Sequence, residues 1–319
     1  MKFKKLVRNN SAVAGVLEAI LLIALVAIVL SMIQLYYVPI IMEQKEADHM
    51  DQVSNQFSQL KSVIEIQAMM GTMDTGEPIT YTPMSSPVTL GSKELPYFVS
   101  ARSYGQIDLT DSNDAGDYEI NIQPAPSEYP TGIPLTSIKY RATNFYYPKD
   151  EVGGTIEPWQ EYVLEGGGII LKQSNGEIMR VQPGISVENN SGSGSIKIKY
   201  FIPVFNGVPG KKIWGGFGMY EDCYIHTNYS EHYTHSDSTS YIHIDTQYAE
   251  AWYDSFVNES NGILWEHIEN GYLDVNLIES STPNRVEITP EPGYTLNIEL
   301  TIAELNVQVG PGYAVRRES

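Results

Sequence analysis

Residues 11–39, SAVAGVLEAILLIALVAIVLSMIQLYYVP, form an apolar run long enough to cross a membrane. From Ala12 to Ile33 only Glu18 and Ser31 interrupt it. Those 22 residues make ~33 Å of helix at ~1.5 Å per residue, which matches a ~30 Å hydrocarbon layer. Lys2, Lys4, Lys5 and Arg8 precede the run with no acid among them. A basic flank of this kind marks the cytoplasmic side. The expected organisation is a basic cytoplasmic leader over 1–11, a transmembrane helix over 12–38 and the remainder outside the cell. A secretory signal has a shorter apolar core, ~7–15 residues, and ends at a small-residue cleavage site. This run is longer and passes directly into more helical pattern, so wholesale removal is not expected.

The charge follows the same division. The chain carries a net −19, with 20 Lys and Arg against 39 Asp and Glu. Residues 1–70 hold six of each sign, so the whole excess belongs to residues 71–319. An acidic exterior poor in Lys and Arg argues against nucleic acid as a partner. Cys223 is the only cysteine, so core packing and sheet pairing must hold the fold without an intrachain disulfide.

Helical periodicity continues past Pro39, a residue that interrupts or bends a helix by removing one hydrogen bond and crowding the preceding turn. Met50, Val53, Phe57, Leu60 and Ile64 recur at spacings of three and four, with Glu43, Glu46, Asp48, Asp51 and Lys61 off the stripe. This predicts an amphipathic extension over 39–70. Two uses fit the stripe: packing against the chain's own globular part, or a seam that meets other copies of the helix.

MGTMDTGEP at 70–78 ends the helix, and residues 79–319 read as all-β. Tyr118, Ile120 and Ile122 alternate with Glu119 and Asn121; Ile196, Ile198, Tyr200 and Ile202 alternate with Lys197 and Lys199. Period-two alternation predicts mainly antiparallel sheets with one buried face, a sandwich-like head over 71–319. Asn175-Gly176 marks a hairpin, and Asn206-Gly207 a further turn. Leu296, Ile298, Leu300 and Ile302 occupy even positions, then Leu305, Val307 and Val309 odd ones. That slip predicts a bulge or bend near Ala303–Glu304. Tyr248, Trp252 and Phe256, within 245–262, predict one short amphipathic helix covering a sheet.

The densest cluster of chemically capable side chains is 222–245, with His226, His232, His235 and His243 among Asp222, Cys223, Asp237 and Asp245. Imidazoles and carboxylates could ligate a transition metal, although the spacing matches no standard zinc pattern. A solvated loop or strand face explains the same residues. No nucleophile elbow, H-E-x-x-H or phosphate-binding glycine loop occurs, so neither an enzyme nor a cofactor is expected. Asn189, Asn228 and Asn258 open N-x-S triplets that permit glycosylation.

AVAGVLEAILLIALVAIVL at 12–30 resembles the N-terminus of archaeal type IV pilin-like proteins, which run Ala-Val-Ser-Pro-Val-Ile-Gly into an unbroken aliphatic helix after a short basic leader. Ala12, Val13, Val16 and Leu17 keep that register, while Ala14, Gly15 and Glu18 stand where Ser, Pro and Gly are usual. Residues 162–187 and 248–256 are similar to segments of archaeal pilin-like membrane proteins. The resemblance implies a filament subunit or minor pilin with a β-rich head, membrane lipid and other subunits as partners, and a prepilin peptidase that removes the leader. Here RNNSA stands where a basic residue followed by Gly or Ala is usual, a departure from the family's processing site; if cleavage occurs, its expected window lies between Arg8 and Ala14. A permanently anchored surface binding or adhesion module remains the alternative.

Glu18 lies ~9 Å along the helix from Ala12. A lone charge there costs up to ~3 kcal/mol. It is relieved either by snorkelling toward Arg8 and the lysines or by pairing with an amine on another subunit. Cleavage before Ala14 would make it the fifth residue, where type IV pilins carry such a glutamate.

Overall fold

The structure, a computed structural model, describes residues 10–72, 83–92, 103–144, 146, 159–190, 194–217 and 223–311. Lys2, Lys4, Lys5 and Arg8 lie outside the described residues. One helix runs from Asn10 to Thr72 as α1 (Asn10–Met32), a π turn (Ile33–Tyr37) and α2 (Val38–Thr72). Pro39 accounts for the π turn. It has no N–H to offer Leu35, and its ring would crowd the Leu35 carbonyl in a regular α-helix. In the wider turn the Val38 N–H reaches back to the Ile33 carbonyl. The interruption expected at Pro39 is this single turn.

Beyond the helix the described residues form three sheets, with strands numbered in chain order. The central sheet is ordered β1 (Met84–Val88), β12 (Cys223–Thr239), β16 (Thr295–Val309), β10 (Ser195–Gly207), β9 (Ile185–Asn190). The lateral sheet runs β11 (Ile213–Gly216), β2 (Tyr104–Thr110), β5 (Ser137–Thr143), β6 (Trp159–Glu165), β7 (Gly168–Gln173), β8 (Gly176–Val181). The distal sheet runs β14 (Leu273–Ile278), β15 (Arg285–Pro290), β13 (Ile242–Asp245), β3 (Glu119–Ile122), β4 (Ile133–Pro134). Among the described residues all pairings are antiparallel except β10 with β16, which run parallel in unbroken register from Ser195 opposite Thr295 to Gly207 opposite Val307.

Two cores form on opposite faces of the central sheet. The proximal core joins α2 to the central and lateral sheets through Phe57, Tyr140, Tyr162, Ile225 and Leu305. The distal core joins the other end of the central sheet to the distal sheet and to α3 (Ala249–Val257) through Ile198, Leu300, Ile244, Trp252 and Phe256. A second short helix, α4 (Trp265–Glu269), follows α3.

This arrangement corrects the reading of β16. Leu296 to Ile302 on even positions enter the distal core, and Ala303 to Val309 on odd positions enter the proximal one. The parity change is a change of buried face, because alternate residues of one strand point to opposite sides. The extra residue sits on the neighbour: Tyr229 pairs with Leu305 and Glu231 with Glu304, leaving Ser230 as the bulge. One added residue moves later β12 side chains to the other face, which lets both strands serve both cores.

Two turns also differ from expectation. Gln173 pairs with Gly176, so the β7–β8 turn consists of Ser174-Asn175. Asn206 and Gly207 remain in β10, paired with Asn306 and Val307, because Asn206 donates to Glu304 at 2.8 Å and its Oδ1 accepts from Ser112 at 2.6 Å. The β6–β7 hairpin turns on Gly166 and Gly167, both at positive φ. A Cβ on Gly166 would stand 2.7 Å from the Tyr200 hydroxyl and 2.8 Å from Trp252, so the position needs glycine for space as well as backbone.

Candidate membrane and assembly helix

The helix divides sharply by environment. The twelve large apolar side chains from Val16 to Met32 are each between 47 % and 69 % exposed, and no part of the most apolar window is covered by the other described residues. Leaving them in water would forgo on the order of 20 kcal/mol of burial. That exceeds the ~5–15 kcal/mol by which a typical domain is stable. α1 is therefore one helix, near the N-terminus, long and apolar enough to span a membrane. Its two polar interruptions differ in cost. Ser31 donates its hydroxyl to the Ala27 carbonyl at 2.7 Å, satisfied within the helix. Glu18 is the only charged residue of α1 and faces outward. Tyr36 and Tyr37, 71 % and 62 % exposed, close the apolar stretch where aromatic side chains favour a membrane interface.

Burial begins immediately after them, at Val38 and Met42. Met50, Val53, Phe57, Leu60 and Ile64 are all at most 2 % exposed, packed between the central and lateral sheets. The stripe thus serves the chain's own head and is not free as a seam between copies. Phe57 is its centre, with ring centroids 6.5 Å from Tyr140 and 6.2 Å from Tyr162.

Polar side chains fix how α2 sits between the sheets, and the sequence pattern missed several of them. Glu46 is fully buried and accepts the Tyr146 N–H at 2.6 Å. Buried Lys61 is satisfied by Glu65 one turn on. His49 meets the Tyr140 hydroxyl at 2.7 Å, and that hydroxyl also accepts the Gly91 N–H. Burial pushes the His49 imidazole down to about 4, so it stays neutral at pH 7. The Gln52 and Gln56 side-chain amides donate to Thr89 Oγ1 at 3.0 and 2.9 Å, while Gln67 donates to the Thr227 carbonyl at 2.9 Å. Apart from the Lys61–Glu65 pair within the helix, these bonds tie successive turns of α2 to Tyr140, Thr227, Thr89 and Tyr146 in or just past the strands, so α2 cannot rotate or slide without leaving buried polar groups unpaired.

A second polar lock holds α3 to the lateral sheet. Glu165 on β6 is fully buried and accepts from Thr246 Oγ1 at 2.7 Å and from Trp252 Nε1 at 2.9 Å. Glu177 on β8 accepts the Ala251 N–H at 3.2 Å in the first turn of α3. Burial raises the Glu165 carboxyl to about 7, outweighing its two hydrogen-bond donors and Lys139.

The histidines do not assemble. His226 meets Ser85 Oγ through Nδ1, and His232 meets the Tyr229 hydroxyl, each at 2.7 Å. His235 lies opposite Leu300, and His243 on β13 pairs with Glu287 at 2.6 Å while stacking on Tyr241. At ~3.3 Å per strand residue, His226, His232 and His235 are spread over about 30 Å of one strand. Among the described residues no three His, Cys, Asp or Glu side chains form a metal-binding group. Asp222 lies outside the described residues, Cys223 is buried, and Asp245 is held by Arg285 at 2.7 Å.

Of the three sequon asparagines, Asn189 is exposed on edge strand β9. Asn258 is exposed just past α3, its Oδ1 accepting the Ser260 N–H. Asn228 sits within β12 opposite Asn306 with its Oδ1 buried. No protein-family model, no curated protein and no solved structure matches the chain.

Proposed function

We propose that this protein is a cell-surface structural protein, a pilin-like subunit or minor pilin of an archaeal type IV filament, that assembles through α1. The observation that carries the reading is the bare apolar α1 continuing without a linker into a helix locked inside a β head. A helix that is apolar on every side needs lipid or neighbouring helices around it. In this reading α1 is held in the membrane before assembly and by other copies after it. The basic leader stays on the cytoplasmic side, a prepilin peptidase cuts between Arg8 and Ala14, and the acidic head projects outward. Glu18 then pairs with an amine of a neighbouring subunit. The protein is not an enzyme and uses no cofactor.

The burial of the Met50–Ile64 stripe in its own head favours a second reading, a permanent single-pass anchor carrying a binding or adhesion head. The N-terminal residue of protein recovered from the cell surface separates the two. Filament assembly predicts a mature chain lacking Met1–Arg8, and Glu18→Gln that inserts normally but no longer assembles. An intact leader on monomeric protein, with Glu18→Gln indistinguishable from the parent, contradicts it.

A further inference from the structure

The π turn at Ile33–Tyr37 stands where the helix changes environment. Tyr37 is exposed and Val38, the next residue, is buried. On the C-terminal side His49, Gln52, Gln56 and Gln67 hold α2 to the head at one fixed rotation. On the N-terminal side no other described residue covers the most apolar part of α1, so nothing in the head opposes its turning about its axis. The helical phase across the turn alone decides which way each side of α1 points relative to the head.

A π turn closes from residue i to i+5, one residue more than an α turn. The bond from the Val38 N–H to the Ile33 carbonyl is of this kind. The turn therefore absorbs one residue, and the helix before it is rotated by ~100° from where an unbroken α-helix would place it. Val53 is fully buried on the face that meets the head, and Glu18 is the only charged residue of α1. These two lie 35 positions apart. Steps of ~100° along an unbroken helix would set Glu18 about a quarter turn, ~100°, from Val53. With one residue absorbed the separation is ~160°, so Glu18 projects from the side of the helix that faces away from its own head.

We propose that Pro39, through the π turn, sets the rotational register of assembly, turning Glu18 away from the subunit's own head and toward an amine of a neighbouring copy. This rests on the filament reading above. Pro39 acts here as a positioning residue. In Pro39→Ala the alanine N–H can close on the Leu35 carbonyl and the ring no longer crowds that carbonyl, which favours an unbroken α-helix. Because the head holds α2, α1 takes up the whole rotation and Glu18 swings by ~100°.

The test compares the full chain with Pro39→Ala, with Pro39→Ala also lacking Leu35, and with one or four alanines inserted after Met32. The readout is sedimentable filament recovered from cells, measured beside membrane insertion and urea unfolding of the head. Pro39→Ala is expected to insert and fold as the parent does and to lose the filaments. Deleting Leu35 removes the residue that the π turn absorbed, so a straight helix returns Glu18 to ~160° from Val53 and filaments should recover. One added alanine turns Glu18 by ~100° and four by ~40°, so the longer insertion should assemble better than the shorter. A parent that forms no filaments contradicts the filament reading itself. With an assembling parent, three results would each overturn the register assignment alone: parental filament levels in Pro39→Ala, no recovery on deleting Leu35, or one alanine tolerated as well as four.

Discussion

Replacing Glu165 by Gln should change the pH dependence of head stability in a way that a purely packing role cannot. Burial raises the Glu165 carboxyl from 4.5 to about 7. An acid with a raised value in the folded state binds its proton more tightly there, so its contribution is fully present below pH 4.5 and is lost as pH rises to 7. At ~1.36 kcal/mol per pH unit the loss is about 3 kcal/mol. His49 acts in the opposite direction. Its value falls from 6.5 to about 4, so the unfolded chain takes up the proton first and stability falls as pH drops from 6.5 to 4. The two slopes nearly cancel in the parent between pH 4.5 and 6.5. Gln mimics the neutral acid and removes only the Glu165 slope. Urea unfolding of the full chain in non-ionic detergent, followed by tryptophan fluorescence, should show the variant close to the parent at pH 4.5. By pH 8 it should gain about 3 kcal/mol relative to the parent. Within the variant, stability should rise steeply from pH 4.5 to 6.5, exposing the His49 contribution. A difference between variant and parent that stays constant from pH 4.5 to 8 would refute the burial of a titrating carboxylate at this position.

The packing of the proximal core and the exposure of the sequons are open to direct tests. Phe57→Ala empties the centre of the proximal core and should cost about 3–5 kcal/mol in urea unfolding. Gly71→Ala should cost about 1–3 kcal/mol, because a Cβ at that position would stand 2.3 Å from the ring of Tyr229; Gly71→Ala/Tyr229→Ala should show a favourable coupling in a double-mutant cycle. In a host with N-glycosylation machinery, exposed Asn258 should be modified and Asn228 should not, as read by peptide mass mapping.

The long helix was legible because its signals are local. Hydropathy located α1, and the three-and-four spacing of Met50 to Ile64 located the buried face of α2. The same pattern misplaced Glu46 and Lys61, which count as polar in any periodicity yet lie against the head, where Tyr146 and Glu65 satisfy them. Alternation found the strands, but which strands are neighbours depends on pairings far apart in sequence, such as Ser195 with Thr295. The parity change in β16 was visible as a pattern, while its cause was not, since two cores on opposite faces produce the same string as a bulge. Gly166-Gly167 could have been read as a hairpin turn from its flanking apolar runs. The Glu165 lock could not, because Trp252 and Thr246 reach it from over 80 residues away. Histidine density around 222–245 suggested convergence, but an extended strand holds such residues apart.

Assembly through α1, with α2 kept for the head, has a direct readout in oxidative cross-linking on native cells. Single cysteines are placed in the Cys223→Ser background, one at Leu22 in α1 and one at Asn55 on the outer face of α2. Leu22→Cys should give disulfide-linked dimers and a ladder of higher species, and Asn55→Cys little of either. Monomers from Leu22→Cys, under conditions where the protein is fully surface-displayed, would rule out α1 as the assembly element.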